Sequence, residues 1–76
     1  MTQITLDLKG LKCPLPALKT RKALGPLAPG DVIEAHCTDP LSAIDIPNLV
    51  RETGDTLVSQ ERNGETFIFR VRREAR

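Results

Sequence analysis

Cys13 stands in the run Gly10-Leu11-Lys12-Cys13-Pro14-Leu15-Pro16, where an alternating strand pattern stops and a helical one begins. Proline at the first helical position costs little, because the amides of a helix's first turn have no carbonyl partners within the helix. A sulfur at that junction faces the partial positive charge of the helix start. Thiolate rather than thiol is the nucleophile, and such a start beside a lysine lowers a cysteine pKa. We therefore expect Cys13 to carry chemistry, helped by Lys12. Pro14 and Pro16 stiffen the backbone but remove two amides, which leaves the N–H groups of Leu15 and Ala17 near the sulfur. Moderate activation suits a sulfur that accepts and gives up a group readily.

The other chemically capable side chains form no second centre. Cys37 ends the next strand pattern in phase with the apolar Ile33 and Ala35, as a core-facing cysteine does. Neighbouring parallel strands would end on one edge, so Cys37 also stands as a conceivable resolving thiol for Cys13, and a thiol-redox protein bridging the two is a further reading. No second cysteine occurs at C-x-x-C spacing. His36, the sole histidine, falls on the opposite strand face from Cys37, so a Cys-His hydrolase lacks a base. Two thiols and one imidazole pointing apart make no tetrahedral metal site, and neither metal nor cofactor is expected. Asp39 and Asp45, each close before a proline, read as helix caps.

The elements that must position Cys13 are legible in order. Ile4-Thr5-Leu6-Asp7-Leu8 alternates as a half-buried strand ended by Gly10. Leu15 to Leu24 is a helix closed by Gly25-Pro26. Ala17, Thr20, Ala23, Leu24 and Leu27 share its inner side, while Leu15 and Leu18 lie outside with Lys19 and Lys22, as part of a docking surface for a protein partner. Val32 to Cys37 is the second strand. A short turn over Pro40 to Ile44 precedes a helix from about Ile46 to Thr53, stopped by Gly54, with Ile46, Leu49 and Val50 inward. Thr56 to Gln60 and Thr66 to Arg72 are strands joined through Asn63-Gly64. Phe67, Phe69 and Val71 face inward, whereas the inner face of Leu57-Val58-Ser59 is left open by the pattern.

The order βαβαββ with right-handed crossovers predicts an α+β fold, a two-layer α/β sandwich. Its four-stranded mixed sheet has order 1-2-4-3, with two helices on one face. The other face carries Thr5, Asp7, Glu34, His36, Arg70 and Arg72. The chain of 76 residues is expected to be a single domain, 1–76, near the lower size limit for an unstapled core. Its net charge of +1 hides a local excess: Lys9, Lys12, Lys19, Arg21 and Lys22 occur without an acidic residue among them. A second basic group is Arg70, Arg72, Arg73 and Arg76. With no tyrosine or tryptophan to stack bases, direct nucleic-acid binding is not expected. Met1-Thr2-Gln3 shows no targeting features and no long apolar run exists. Two free thiols then point to the cytoplasm, away from membranes.

Together with the basic helix Lys19 to Leu24, Pro29-Gly30-Asp31, Thr38-Asp39-Pro40, Asp45-Ile46-Pro47 and Gly54, the C-P-x-P run of Cys13 to Pro16 resembles the TusA/SirA sulfurtransferase family over nearly the whole chain. The resemblance implies two helices on a four-stranded mixed sheet and a sulfur carrier. The cysteine at Cys13 would take sulfane sulfur as a persulfide from a cysteine desulfurase or rhodanese-like donor protein and relay it to an acceptor protein. Destinations in the family include tRNA wobble-uridine thiolation, molybdenum-cofactor maturation and dissimilatory sulfur oxidation. Leu15 stands between the prolines where some tRNA-pathway members are acidic. The rival reading is a noncatalytic interaction or regulatory module in which Cys13 is structural and the basic helix binds a partner.

Overall fold

The computed structural model describes residues 3–75; Met1, Thr2 and Arg76, the last residue of the basic tail, lie outside them. The elements run β1 (Gln3–Leu8), α1 (Leu15–Leu24), β2 (Val32–Cys37), α2 (Ser42–Thr53), β3 (Thr56–Asn63) and β4 (Thr66–Arg72). They form one sheet of order β1-β2-β4-β3, as the crossover argument predicts. β1 and β2 pair in parallel, with Leu8 opposite Cys37. The C-terminal ends of these two central-to-edge strands therefore open on the same side, and the loops that follow them meet there.

Alternation decides which face is buried. Leu8, Ile33, Ala35, Cys37, Phe69 and Val71 join Leu24 of α1 and Ile46 and Val50 of α2 in one core. Burying a side chain of this size is worth about 1.5–3 kcal/mol, so these positions carry most of the fold. The opposite face is polar and tied together by charge: Arg70 reaches Glu34 at 2.9 Å and Glu61 at 2.6 Å. His36 meets Glu34 at 2.7 Å. The hydrogen bond from His36, followed by that from Arg70, holds the Glu34 carboxyl below its ordinary range. This accounts for the polarity of the open face as a solvated ion-pair network.

Two local expectations need correction, and one face that the pattern left open is decided by strand pairing. The turn over Pro40 to Ile44 and the helix after it are one element, because α2 begins at Ser42 and runs through Pro47. An interior proline costs about 3 kcal/mol. Ile46, Leu49 and Val50, each no more than 6% exposed, offset that by facing the sheet from one continuous helix. Gly54, at φ +80, ends it with its own N–H and that of Asp55 bonded to the Val50 carbonyl, the left-handed cap for which glycine is suited.

The second correction concerns β3, which extends past Gln60 to Asn63. Its polar end is held by backbone pairing to β4, and the Arg62 guanidinium lies 5.3 Å from the centre of the Phe67 ring. Asn63 pairs with Thr66, so the hairpin loop is Gly64-Glu65, one position later than the Asn63-Gly64 reading. The face left open is that of Leu57-Val58-Ser59. Leu57 pairs with Val71 and Ser59 with Arg70, so Val58 is an extra residue. A bulge shifts the side-chain phase, which is why simple alternation left that face undecided.

Candidate functional site

Two loops build the surroundings of Cys13. The Gly10 N–H donates to Thr38 Oγ1 at 2.9 Å and the Cys13 N–H to Asp39 Oδ2 at 2.7 Å. Asp39 Oδ1 accepts the Leu41 N–H at 3.0 Å, and its carbonyl accepts both the N–H and the hydroxyl of buried Ser42. Asp39 is not the N-cap expected of it, since α2 begins at Ser42 with Leu41 at the N-cap and no side-chain capping bond; it braces the turn that leads into α2 and clamps the Cys13 loop to that turn. The Cys13 N–H bond, then the Leu41 N–H bond and nearby Lys12 hold its carboxyl below the ordinary value of 3.8.

The sign of that shift gives a prediction. A carboxyl depressed in the folded state contributes stability that is complete above its unfolded value and lost as pH falls through the folded one. Asp39→Asn, isosteric with the protonated acid, should melt below wild type at neutral pH. The gap should close as the pH falls toward 2. A gap of constant size down to that pH would count against the clamp.

Cys13 itself is exposed, just ahead of a helix whose N-cap is Pro14, and the Cys13–Pro14 peptide is cis. The expected electrostatics do not hold. The Leu15 N–H is turned away to the Lys12 carbonyl at 2.9 Å. The thiol instead donates to Asp45 Oδ2. That bond, followed by partial desolvation and the negative charges of Asp45 and Asp39, pushes the Cys13 thiol above its ordinary value. Asp45 is therefore no cap. It occupies the first turn of α2, a position that favours negative charge, and projects toward the sulfur.

Two depressions flank the sulfur. One, of about 540 Å³, is bordered by Gly10, Lys12, Thr38, Asp39 and Leu41. The other is the groove between the helices, lined by Leu18 and Arg21 of α1 and by Asp45, Asn48 and Glu52 of α2. Leu15 and Leu18 are 44% and 54% exposed, as the helical phase predicts, and Leu41 and Ile44 at the start of α2 are exposed as well. Sequence reasoning missed Asp45, Leu41 and Ile44. The fused first turn of α2 was the missing information, since counting from Ser42 puts Ile44 outside and Asp45 beside the groove.

The remaining candidates do not join the site. Cys37 is wholly buried, and burial pushes its thiol up, opposed by a hydrogen bond with Ser42. It packs as the core-facing reading holds and is no partner for an exposed sulfur. His36 is bound to Glu34 on the open sheet face. Among the described residues no group of three or more His, Cys, Asp and Glu side chains could hold a metal ion. No described helix is long and apolar enough to cross a membrane.

Comparison with known proteins bears on the whole chain. Residues 4–73 match the family described as Sulfurtransferase TusA. The sulfur carrier protein TusA of Allochromatium vinosum is 35% identical over 68 residues, covering 90% of both chains. The proposed sulfur carrier protein YrkF of Bacillus subtilis is 42% identical over 70 residues. That match covers 92% of this chain but only 38% of YrkF, so the chain spans well under half of that relative's length. The crystal structure of a SirA-like protein from Desulfitobacterium hafniense superposes with a TM-score of 0.82 at 22% identity, over 95% of this chain and 99% of that one. At that identity the likeness is one of fold.

Proposed function

The chain belongs to the TusA sulfurtransferase family, and from that premise we propose that it is a sulfur carrier whose Cys13 accepts sulfane sulfur from a donor protein as a persulfide and relays it to an acceptor protein. The observation that carries the reading is the placement of the thiols. One cysteine is exposed at the joined ends of β1 and β2, and the other is sealed in the core. A single reachable sulfur on a small, tied-down frame suits a relay rather than an internal dithiol couple.

The exchange balances without an oxidant or reductant. The Cys13 sulfur attacks the outer sulfur of the donor's Cys–S–SH, the donor S–S bond breaks, and a new S–S bond forms on Cys13. The proton lost by Cys13 ends on the donor thiolate. Unloading repeats the exchange with the acceptor as nucleophile. No cofactor is required, because sulfur changes owner without net electron transfer. The whole chain, 1–76, acts as one carrier domain in the cytoplasm. Donors of the desulfurase or rhodanese type, and acceptors in tRNA thiolation, molybdenum-cofactor maturation or sulfur oxidation, follow from family membership. Leu15 between the prolines marks a departure from the acidic tRNA-pathway members.

The test is intact-mass analysis after incubation with a cysteine desulfurase and cysteine, and with a rhodanese-like donor and thiosulfate. A gain of one sulfur atom on Cys13 is expected. Absence of the adduct with both donors would overturn the carrier and favour an interaction module.

Docking should use the exposed apolar start of α1. Leu18 is 54% exposed, so Leu18→Asp leaves the core alone. It should slow donor-dependent loading about tenfold, the equivalent of ~1.4 kcal/mol of lost binding. Loading at the wild-type rate across donor concentrations would remove Leu18 from the docking surface.

A further inference from the structure

The hydrogen bond from Cys13 Sγ to Asp45 Oδ2 spans 32 positions of sequence and joins the β1–α1 loop to α2. Thiolate is the reactive form of cysteine, yet the group in contact with this sulfur is a carboxylate. Lys12, the nearest lysine in sequence, acts on Asp39, which itself adds negative charge near the thiol. Farther along the groove Arg21 of α1 and Glu52 of α2 oppose each other in charge. The charges that act on the sulfur are thus those of two carboxylates, while the nearby ammonium is engaged with Asp39.

We infer that Asp45 is a positioning residue for Cys13: its carboxylate pins the unloaded sulfur to the first turn of α2 as a thiol, so that the sulfur stays unreactive toward small electrophiles until a docked donor breaks the contact. The inference rests on the carrier reading for its purpose, not for its chemistry. A carrier that ferries sulfur between proteins gains selectivity when its free thiol ignores oxidants and other diffusible reagents on the way. Exposure alone would leave Cys13 open to them. The helix geometry supplies the restraint, because the backbone N–H of Asp45 is held by the Leu41 carbonyl at 2.9 Å and the carboxylate therefore has a fixed origin.

The persulfide cannot keep the same contact. Loading moves the terminal S–H one atom farther from the backbone, and a persulfide is a stronger acid than the thiol it comes from. Once ionised it has no proton to donate to Asp45. The restraint therefore acts on the empty carrier.

The experiment is the pH profile of Cys13 alkylation by iodoacetamide on the full chain, followed by intact mass, for wild type, Asp45→Asn and Asp45→Glu. Wild type should show its inflection above the ordinary free-thiol value of about 8.5. Asp45→Asn should move the inflection down by about one unit, raising the rate at pH 7 about tenfold. Asp45→Glu should restore most of the wild-type profile. At pH above both inflections the wild-type and Asn rates should converge. Superimposable profiles would overturn the inference, as would rates differing by one factor at every pH, which signal altered access. If Asp45→Asn does not fold, the wild-type curve decides, since an inflection below the ordinary value overturns it. Alkylation uses no sulfur donor, so a shifted profile with no persulfide adduct would sink the carrier reading alone.

Discussion

Cys13→Ser is expected to abolish sulfur loading and every transfer that depends on it, with thermal unfolding unchanged. The replacement is nearly isosteric at an exposed position, and its hydroxyl retains a proton to donate to Asp45, so the loop keeps its partners. What disappears is a sulfur able to form the new S–S bond. The expected drop is complete, down to the background of the assay, unlike the graded effect of Leu18→Asp. Cys37→Ala is the matched control: that thiol lies in the core, so the variant loses some stability and still loads. A mass gain that survives in Cys13→Ser and vanishes in Cys37→Ala would reverse the assignment of the two thiols.

Phe69→Ala is expected to have the largest effect on folding. Phe69 is fully buried at the centre of β4, opposite Ala35 of β2 and Gln60 of β3, and its ring stacks on Phe67 at a centroid distance of 6.4 Å. Removing a buried phenylalanine costs about 3–5 kcal/mol. A chain of 76 residues has about 4–11 kcal/mol in total, at ~0.05–0.15 kcal/mol per residue. A large share of the molecules should therefore unfold near physiological temperature, and the urea midpoint should fall steeply. A loss below about 1 kcal/mol would mean that the core rests elsewhere, on the α2 face for instance. Read beside Cys13→Ser, this variant separates loss of the site from loss of the frame.

The two cysteines show why some assignments could be made from residue order. Cys37 shares a strand phase with Ile33 and Ala35, and a period of two needs only neighbours along the chain to reveal the buried side. Leu18 was legible in the same way from helical phase. Val58 was not, because a bulge changes the phase by one residue and is specified by pairing with β4. Pro47 misled for a related reason: local preference ends a helix there, and burial of Ile46, Leu49 and Val50 against the sheet outweighs it.

Residue order by itself determined the number and order of the elements, the mixed sheet of order 1-2-4-3, the inward faces of β1, β2 and β4, and the position of a cysteine at a helix start, though not the first turn of α2 or the end of β3. Those features follow from contacts within a few positions, from periodicity, and from the handedness of crossovers. Only the tertiary structure decided the charge that the sulfur meets. Lys12 and the helix start are local and predict a thiolate; Asp45 arrives from another helix, and whether it reaches Cys13 depends on how α1 and α2 lie together on the sheet. Electrostatic energy depends on distance in space, and chain order does not contain that distance.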